Sequence, residues 1–406
     1  EGAKFPRFAV GEIIAPTALW RMWNRLGITQ EMLDGRFIRK WGASWMSPNG
    51  TVFDFEQDVH PEDPLCRPFV YTFDRGEYDH FLLNHAREMG VVALEEAWVE
   101  DILKEDGRVV GVRFSQHGKS HEVRCKLLVD ASGRANFLPR KLGLRTEIDE
   151  LHSFSVFAHY EGVKRDEGKK EGLVRLCFGA DRMWFWWAPL LAPKASIGIV
   201  ADRETHGEEY ERDPEAFFEK WIQTNPYVWD RIKDAKRVTG FERVEKGTGG
   251  ANLDRFAARS TELVGDGWVL IGDSAGFIDP IFSAGLFVVQ NSAAWLADEV
   301  LSAMEEGDLS KERLSSYPEK YLAALGDILF HIQGMALLYY EPKFIDFFLE
   351  WGNRNPKMRD LYIRTFIAYD PDAIAEFGRI FTRLFKRFQH EGGLTLEMTD
   401  EAQGKE

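Results

Sequence analysis

Cysteine is scarce in this sequence of 406 residues. Cys66, Cys125 and Cys177 are widely separated, are odd in number and form no CxxC pair. A disulfide framework or a cysteine-based metal site needs more cysteines at closer spacing than these. We therefore expect a protein with reduced thiols, for which the cytoplasm is the default compartment.

Long apolar runs and an excess of positive charge are missing too. No apolar stretch approaches the length of a transmembrane helix, so neither a membrane span nor a signal peptide is expected. The net charge of −15 argues against non-specific nucleic-acid binding, because such binding needs a basic surface that displaces counterions from phosphates. No metal site is predicted, since no HxxxH or HxH pattern joins His80, His85, His152, His159 and His331.

Hydrophobic segments of both helical and strand periodicity are present from the start of the chain. Helical spacing extends over residues 13–26 and 79–89. Residues 37–45 and 51–55 have strand character and flank the turn Ser47-Pro48-Asn49-Gly50. Further short strands are predicted over residues 91–94, 99–103, 109–114, 126–129 and 268–271. This mixture predicts an α/β fold.

The second part of the chain has a different pattern. Four longer strands are predicted over residues 153–160, 173–178, 183–188 and 195–201. One helix, over residues 214–223, interrupts this β-rich stretch. A long helix follows the strand that ends at Ile271, and residues 311–387 have helical spacing throughout. The polar residues from Glu391 onward are expected to be disordered.

Three turn segments occur in the order typical of the FAD-dependent monooxygenase superfamily. The segment Phe73-Asp74-Arg75-Gly76-Glu77-Tyr78-Asp79, with Leu82-Leu83, is similar to its DR-x-x-(F/Y)-D-x-x-L motif. Asp130-Ala131-Ser132-Gly133-Arg134 resembles its DASG turn, and Gly272-Asp273-Ser274-Ala275-Gly276-Phe277 resembles its GDAA segment. The resemblance implies that Arg75 approaches a flavin and that Asp273 meets the ribityl and pyrophosphate region of FAD.

Elementary chemistry supports this interpretation of the three segments. Small residues after a strand let backbone N–H groups approach a phosphate, and a helix N-terminus favours negative charge at the same place. Each segment alone is a weak signal, because such turns occur by chance in many α/β proteins. Their order along the chain, each at a strand end or a helix start, makes the set specific.

The first residues resemble the stretch that directly follows the opening unit of the same superfamily. Glu1-Gly2-Ala3-Lys4-Phe5-Pro6-Arg7-Phe8 is similar to E-x-x-x-F-P-R-(F/Y). By this resemblance Glu1 falls on the acidic residue that binds the ribose hydroxyls, and Arg7 belongs to the cofactor site. We expect the usual βαβ opening with its GxGxxG turn to be missing from these residues, and FAD to bind weakly without it.

Further segments resemble flavin-dependent halogenases that act on phenols and pyrroles. Residues 5–16 are similar to FPR-x-x-(I/V)-GE-x-x-x-P, and Trp184-Phe185-Trp186-Trp187-Ala188-Pro189 is similar to W-x-W-x-I-P with Ala188 at the Ile position. The resemblance implies a substrate cavity lined by Trp184, Trp186 and Pro189. Ordinary core packing of the tryptophans is the alternative, because aromatic strands are common.

A loop near the second flavin turn resembles the halide site of that family. Asp279-Pro280-Ile281-Phe282-Ser283-Ala284-Gly285 is similar to DP-x-F-S-(S/T)-G, whose backbone amides hold halide beside the flavin. The resemblance implies a halide site at Ala284 and Gly285. Ala284 replaces the Ser/Thr of the motif, so the backbone donors remain but a hydroxyl contact does not.

The segment Gly35-Arg36-Phe37-Ile38-Arg39-Lys40-Trp41-Gly42 is similar to the one that carries the catalytic lysine of these halogenases, and Lys40 falls on it. In the family, reduced flavin, O₂ and halide yield hypohalous acid, which must be positioned beside an electron-rich ring. An amine on a flexible stem, desolvated among aromatics, can capture this oxidant and fix the site of attack. From local sequence alone, a solvated surface lysine is the commoner interpretation.

Together these resemblances imply an α/β fold with a FAD-binding Rossmann-like domain, a β-rich substrate-domain insertion and a helical C-terminal region. The FAD-binding domain is expected over residues 1–150 and 241–305 and the β-rich domain over residues 151–240. The helical region is expected over residues 306–390, before a disordered tail at residues 391–406. The predicted FAD-binding residues are Glu1, Arg7, Arg75, Asp130, Gly272, Asp273, Ala275 and Pro280.

The predicted function is an FAD-dependent halogenase that acts on a small aromatic substrate, either free or tethered to a carrier. A separate flavin reductase is expected to supply reduced FAD, because no second nucleotide fingerprint is visible. A flavin-dependent hydroxylase or other oxidoreductase of the same superfamily is the first alternative, which the halide dependence of the product distinguishes. A non-catalytic homologue or fragment is the second, and bound FAD would count against it.

Overall fold

The computed structural model describes most of the chain. The described residues are 1–14, 16–56, 67–148, 153–179, 181–239, 252–254, 257–277, 284–326, 341–366 and 371–391. The helices with described bounds are α1 (Pro16–Arg25), α2 (Gln30–Leu33), α3 (Arg75–Glu88), α4 (Phe137–Leu142), α5 (Arg203–Arg212), α6 (Pro214–Ile222), α7 (Pro226–Ile232), α8 (Ala284–Glu306), α9 (Pro342–Arg354), α10 (Pro356–Phe366) and α11 (Pro371–Glu391).

The strands of the first half are β1 (Ile38–Lys40), β2 (Gly42–Met46), β3 (Val52–Glu56), β4 (Val70–Thr72), β5 (Ala97–Glu105), β6 (Arg108–Gln116), β7 (Lys119–Arg124), β8 (Leu128–Asp130) and β9 (Arg145–Glu147). Those of the second half are β10 (Ser153–Glu161), β11 (Val174–Phe178), β12 (Met183–Pro189), β13 (Lys194–Asp202), β14 (Lys236–Arg237), β15 (Asn252–Asp254), β16 (Ala258–Ser260), β17 (Val264–Gly265), β18 (Trp268–Leu270) and β19 (Gly276–Phe277). The mixture of sheets and helices confirms the predicted α/β class.

The largest sheet among the described residues has eight strands. Its order is β14-β10-β13-β12-β11-β2-β3, and β15 also pairs with β10. The pairs are antiparallel except β2 and β11, which run parallel. Because β2 and β3 come from the first part of the chain, this sheet joins residues 42–56 to the predicted β-rich region. The domain division itself stays a prediction.

Alternate residues of β12 face opposite sides of this sheet, as strand geometry requires. Trp184 and Trp186 join a first core, which also contains Phe157 and aromatic residues of α9 to α11. Phe185 and Trp187 join a second core, which α5 to α7 cover. The two pairs of side chains therefore lie on opposite faces of the sheet.

The C-terminal helices close the first core by aromatic packing. Phe348 of α9 stacks on Tyr362 of α10 with 4.4 Å between ring centroids, and the Tyr362 ring lies 5.4 Å from that of Phe53 in β3. Glycine at position 352 permits this approach, since a Cβ there would lie 2.6 Å from the Tyr362 ring. The prediction of helices between residues 311 and 387 is confirmed over α9, α10 and α11.

A third core lies between α1, the two-stranded sheet formed by β1 and β4, α3 and the start of α8. Its buried members are Ile14, Leu19, Trp20, Trp23, Ile28, Leu33, Phe37, Phe69, Val70, Tyr71, Phe73, Tyr78 and Leu286. Lys40 ends β1 and is the antiparallel partner of Val70 in β4. The predicted catalytic lysine is therefore carried by a strand that belongs to this core.

Several predicted elements differ from the structure. The predicted strand over residues 37–45 is interrupted at Trp41, because β1 pairs with β4 whereas β2 pairs with β3 and β11. Residues 91–94 form no strand, and the Val91 N–H donates to the Ala86 carbonyl as α3 ends. The predicted disordered tail lies outside the described residues, except Glu391 at the end of α11.

Two short helices beside α6 were missing from the prediction. Both begin at a polar N-cap: the Asp202 carboxylate accepts the Thr205 N–H, and the Asn225 side chain accepts the Val228 N–H. Pro226 follows as the first residue of α7, a position that suits proline. These capping residues were the available signal, whereas the apolar periodicity of such short helices is too brief to detect.

The packing of Trp186 against Gly198 gives a stability prediction. A Cβ at Gly198 in β13 would lie 2.2 Å from the Trp186 ring. We expect Gly198→Ala to lower the free energy of unfolding by about 1–3 kcal/mol through overpacking, as measured by denaturant unfolding. Gly326→Ala is the control, because no atom of the described residues lies within 4 Å of a Cβ there. Equal stabilities of the two variants would contradict this account of the sheet.

Candidate active site

Parallel strands β8 and β18 bring two predicted flavin segments together. The Asp130 carbonyl, at the end of β8, accepts the Ile271 N–H at 3.0 Å and the Ser274 hydroxyl at 2.6 Å. Both oxygens of the Asp130 carboxylate accept backbone N–H groups, from Ser132 and from Leu138, at 2.7 Å each. The side chain of Asp130 therefore shapes the turn after β8 and the start of α4.

The turn after β18 is built around Gly272. Its φ of +59° is left-handed, and its N–H donates to the Ser292 hydroxyl at 3.1 Å. The Ala275 N–H donates to the Gly272 carbonyl at 3.0 Å, and the Tyr321 hydroxyl donates to the same carbonyl at 3.0 Å. Sequence reasoning missed Ser292 and Tyr321, because they belong to distant helical residues that no local motif marks.

Charged side chains form a continuous series beside this turn. The Arg7 guanidinium lies 3.5 Å from the Glu1 carboxylate and 4.0 Å from that of Asp79. Asp79 accepts two hydrogen bonds from Arg75, at 2.8 and 3.0 Å. Arg75 in turn interacts electrostatically with Asp273. The structure thus brings together Glu1, Arg7, Arg75 and Asp273, which the sequence had assigned to one site.

Burial and neighbouring charges set the ionisation of Arg75 and Asp273. Desolvation opposes the charged form of Arg75, but the carboxylates of Asp79, Glu12 and Asp273 outweigh it and raise the pKa of Arg75. Desolvation raises the pKa of Asp273 to about 6, although the positive charges of Arg75 and Arg134 act against this shift. The site therefore pairs a permanent cation with a carboxyl group that ionises close to neutral pH.

Arg75 also anchors the loop that follows Phe8. Its Nη1 donates to the Val10 carbonyl at 2.8 Å. Gly11 has a φ of +100°, and a Cβ there would lie 3.0 Å from the same Nη1. The buried Glu12 carboxylate accepts the Gly11 N–H at 3.0 Å and lies 2.9 Å from Nε2 of the buried His159. Sequence reasoning had assigned no role to Glu12 and had found no metal-binding pattern at His159.

Lys40 is buried, and only 5% of its surface is exposed. Its Nζ donates a hydrogen bond of 3.2 Å to the Ile14 carbonyl. Desolvation lowers the pKa of Lys40 to about 8. The alternative of a solvated surface lysine is therefore wrong. An amine with this pKa has a substantial neutral fraction under mildly alkaline conditions.

An aromatic series connects the loop after Phe8 to the tryptophans of β12. The Phe8 ring centroid lies 5.0 Å from that of His159 and 5.8 Å from that of Phe157. Phe157 lies 5.7 Å from Trp186, which lies 6.0 Å from Trp184. Pro189 ends the same strand. The role of Trp184, Trp186 and Pro189 in a substrate cavity stays a prediction.

The predicted halide residues lie in the first turn of α8. Ala284 and Gly285 are the first residues of this helix within the part of the chain that the structure describes. A Cβ at Gly285 would lie 3.3 Å from the Phe277 ring. Leu286 belongs to the third core together with Ile14, whose carbonyl receives the Lys40 hydrogen bond. Pro280 lies outside the described residues.

A metal site and a membrane span are two features that the sequence predicted to be absent. His117 and His121 do have HxxxH spacing. Nevertheless, in the part of the chain that the structure describes, no group of three or more His, Cys, Asp or Glu side chains is arranged to hold a metal ion. No helix of that part is long and apolar enough to cross a membrane.

Comparison with known proteins identifies relatives of this chain. A family profile described as tryptophan halogenase matches residues 56–341. The chain is 30% identical over 312 residues to a 1H-pyrrole-2-carbonyl-peptidyl-carrier-protein brominase of Pseudoalteromonas luteoviolacea, covering 76% of this chain and 72% of that protein. It is 27% identical over 335 residues to the corresponding chlorinase of Pseudomonas fluorescens, covering 77% and 72%. The solved structure of a flavin-dependent brominase is similar with a TM-score of 0.77 at 25% identity, covering 96% of this chain and 92% of that one.

The burial of Lys40 predicts a pH-dependent stability difference. The folded pKa of about 8 lies below the usual value of 10.5, so unfolding takes up a proton between these values and rising pH favours the folded state. The loss of folding stability that comes from burying the charged amine of Lys40 reaches its full size below pH 8. We expect Lys40→Met to be more stable than wild type at pH 7, and this advantage to shrink by about 2 kcal/mol towards pH 10.

Denaturant unfolding at a series of pH values measures this difference. Lys104→Met is the matched control, because Lys104 is exposed on β5 and its substitution should give a pH-independent difference. A Lys40→Met difference that stays constant from pH 7 to pH 10 would show that the amine is solvated.

Proposed function

The chain belongs to the tryptophan halogenase family, and from this premise we propose that Lys40 directs hypohalous acid onto an electron-rich aromatic substrate. The protein is an FAD-dependent halogenase, as its motifs predicted, and its cofactors are FAD and a halide ion. The observation that carries the proposal is the burial of Lys40 with its Nζ on the Ile14 carbonyl. Lys40 precedes the range that the family profile matches, so its role rests on this geometry and on the resemblance of its segment.

Three observations support the fit of FAD to the predicted residues. Gly272 is left-handed, and a Cβ there would lie 2.9 Å from Val289 in α8, so only glycine suits this turn. The Nε of Arg7 is buried without a hydrogen-bond partner among the residues described, which suits an acceptor on the cofactor. Arg75 supplies a permanent positive charge beside Asp273. We assign Glu1, Arg7, Arg75, Asp130, Gly272, Asp273, Ala275 and Pro280 to this site.

In this proposal each group has a separate chemical role, which follows from its position. Bound reduced FAD, together with O₂, supplies the oxidising power that turns halide into hypohalous acid. Backbone N–H groups at Ala284 and Gly285, at the positive end of α8, stabilise the halide anion. Lys40, carried by the core that also contains Leu286, hydrogen-bonds the oxidant and holds it for attack. Trp184 and Trp186 keep water away from the aromatic substrate.

We propose a pyrrole-type aromatic acid, presented as a thioester on a carrier protein, as the substrate class. The two relatives named above act on a pyrrole carbonyl group carried by a peptidyl carrier protein, and each is matched over 72% of its length. A free phenol is the alternative, and a substrate panel distinguishes the two. Reduced FAD comes, in this proposal, from a separate flavin reductase in the cytoplasm.

The role assigned to Lys40 predicts that Lys40→Ala loses halogenation activity but keeps its flavin chemistry. FAD affinity and flavin oxidation by O₂ should be nearly unchanged, because Lys40 lies outside the three flavin segments. Halogenated product should fall about 100-fold or more, since the oxidant then reaches the substrate only by diffusion. Lys40→Arg should restore little, because guanidinium stays charged and is bulkier than an amine. Single-turnover assays with reduced FAD, chloride or bromide, and a panel of carrier-bound and free aromatics measure these effects.

The same assay contains its own controls. NADH without a flavin reductase should give no product, and omission of halide should abolish halogenation. Wild-type product yield in Lys40→Ala would remove Lys40 from the mechanism. Hydroxylated product from the wild type at every halide concentration would overturn the halogenase proposal in favour of the hydroxylase.

The tryptophans of β12 give a second functional prediction with a matched control. Trp186→Leu opens the side of the sheet that faces Phe157, so hydrogen peroxide release per flavin oxidised should rise severalfold. Trp187→Leu makes the same change on the opposite face, in the second core, and should lower stability without raising peroxide release. Equal peroxide release by the two variants would show that Trp186 is an ordinary core residue.

A further inference from the structure

The Glu12–His159 contact joins two parts of the molecule that are remote in sequence. Each residue is 2% exposed, and Oε1 of Glu12 lies 2.9 Å from Nε2 of His159. The second carboxylate oxygen, Oε2, accepts the Gly11 N–H at 3.0 Å. Burying an ionisable pair costs desolvation energy. A protein in which apolar residues of similar volume replace such a pair is often at least as stable. Stability therefore gives no sufficient reason for this pair.

His159 is held on the face of the large sheet that carries the predicted substrate tryptophans. The backbone N–H of His159 donates to the Thr239 hydroxyl at 2.7 Å, and the backbone carbonyl of His159 accepts the Val238 N–H at 2.9 Å. Its register partner in β13 is Ser196, whose hydroxyl accepts the Trp186 indole N–H at 3.2 Å. The imidazole is thus fixed relative to Trp186 by the strand ladder.

Glu12 lies in the loop that receives the Lys40 hydrogen bond. The Glu12 carbonyl accepts the Phe73 N–H at 2.9 Å, and two residues later the Ile14 carbonyl accepts Lys40 Nζ at 3.2 Å. Arg75 holds the preceding Val10 carbonyl at 2.8 Å. The Ile14 carbonyl lies only two residues beyond the Glu12 side chain along the chain, so we expect loss of the contact between Glu12 and His159 to shift the Ile14 oxygen.

We propose that the Glu12–His159 pair is the positioning device that sets Lys40 relative to the aromatic face of the large sheet. The pair fixes the loop from Val10 to Ile14 on β10, and the Ile14 carbonyl then fixes the amine. Glu12 and His159 are positioning residues, because they act on Lys40 only through this loop. The functional meaning of the pair rests on the role proposed for Lys40, but its effect on the position of the amine does not.

Chemical labelling of Lys40 tests the positional claim without any turnover. Acetic anhydride modifies exposed neutral amines, and peptide mass spectrometry reports the rate at Lys40 in the folded protein. We expect Glu12→Ala and His159→Ala to raise this rate about tenfold, the effect of losing one hydrogen bond to a charged group in a buried site. Glu12→Gln should lie between them and wild type, because its amide oxygen still accepts from the imidazole.

Lys194→Gln is the matched control. Lys194 Nζ lies 2.9 Å from Oδ2 of Asp74, so this half-exposed pair also ties the large sheet to the start of α3. It makes no contact with the loop from Val10 to Ile14 in the hydrogen bonds described. Labelling of Lys40 should stay at the wild-type rate in Lys194→Gln. Faster labelling in this variant would mean that general loosening of the sheet exposes Lys40, and would overturn the proposal.

Activity gives the second measurement. Halogenated product per flavin oxidised should fall about tenfold in Glu12→Ala and His159→Ala, while hypohalous acid captured by an added diketone rises in compensation. A merely structural pair would lower the melting temperature and leave the product yield of the folded fraction unchanged. The double variant Glu12→Leu/His159→Leu covers the case in which single variants fail to fold, because it leaves no buried charge unpaired.

The outcomes separate this proposal from the proposed function. A folded double variant with wild-type labelling and wild-type yield overturns the positioning role while leaving the halogenase intact. A different result is also informative: the variants are labelled faster at Lys40, but the wild type makes no halogenated product. That result supports the positioning role and removes the function proposed for Lys40.

Discussion

A charged amine held away from water is the constraint on which the candidate active site depends. Lys40 is buried in a strand of an aromatic core, and the Ile14 carbonyl is its hydrogen-bond acceptor. Burial lowers the pKa of this amine to about 8, which favours reactivity, but an amine in such a place is useful only if its position is fixed. The surrounding structure therefore has to hold the Ile14 loop as firmly as the strand that carries Lys40.

That requirement explains why so many distant elements converge on a few backbone groups. Arg75 in α3 holds the Val10 carbonyl, and His159 in β10 holds Glu12. The glycine turn at Gly272 is held in the same way, since Ser292 and Tyr321 from two helical regions bond its backbone. The contact between Glu12 and His159 joins the loop to the large sheet, and the Tyr321 contact joins the Gly272 turn to helical residues that follow α8.

Particular residues show how far sequence reasoning extended. The alternation of Trp184 and Trp186 with Phe185 and Trp187 was predictable, because it follows from strand geometry alone. The clustering of Arg75 and Asp273 was also predictable from motif order, since one segment starts a helix and the other follows a strand, whereas Glu1 and Arg7 were placed by resemblance alone. Burial of Lys40 was not, because an Arg-Lys pair in a short strand looks the same in sequence whether it is solvated or enclosed.

The sequence by itself determined the fold class, the family and the places where strands end in turns that resemble flavin-binding segments. These properties follow from local periodicity and from short motifs, which act over a few residues. Only the tertiary structure decided that Glu12 meets His159, that Tyr321 supports Gly272 and that β2 and β3 join the sheet of the β-rich region. Such contacts depend on the packing of elements that lie far apart along the chain, and their energies depend on exclusion of water, which no local pattern records.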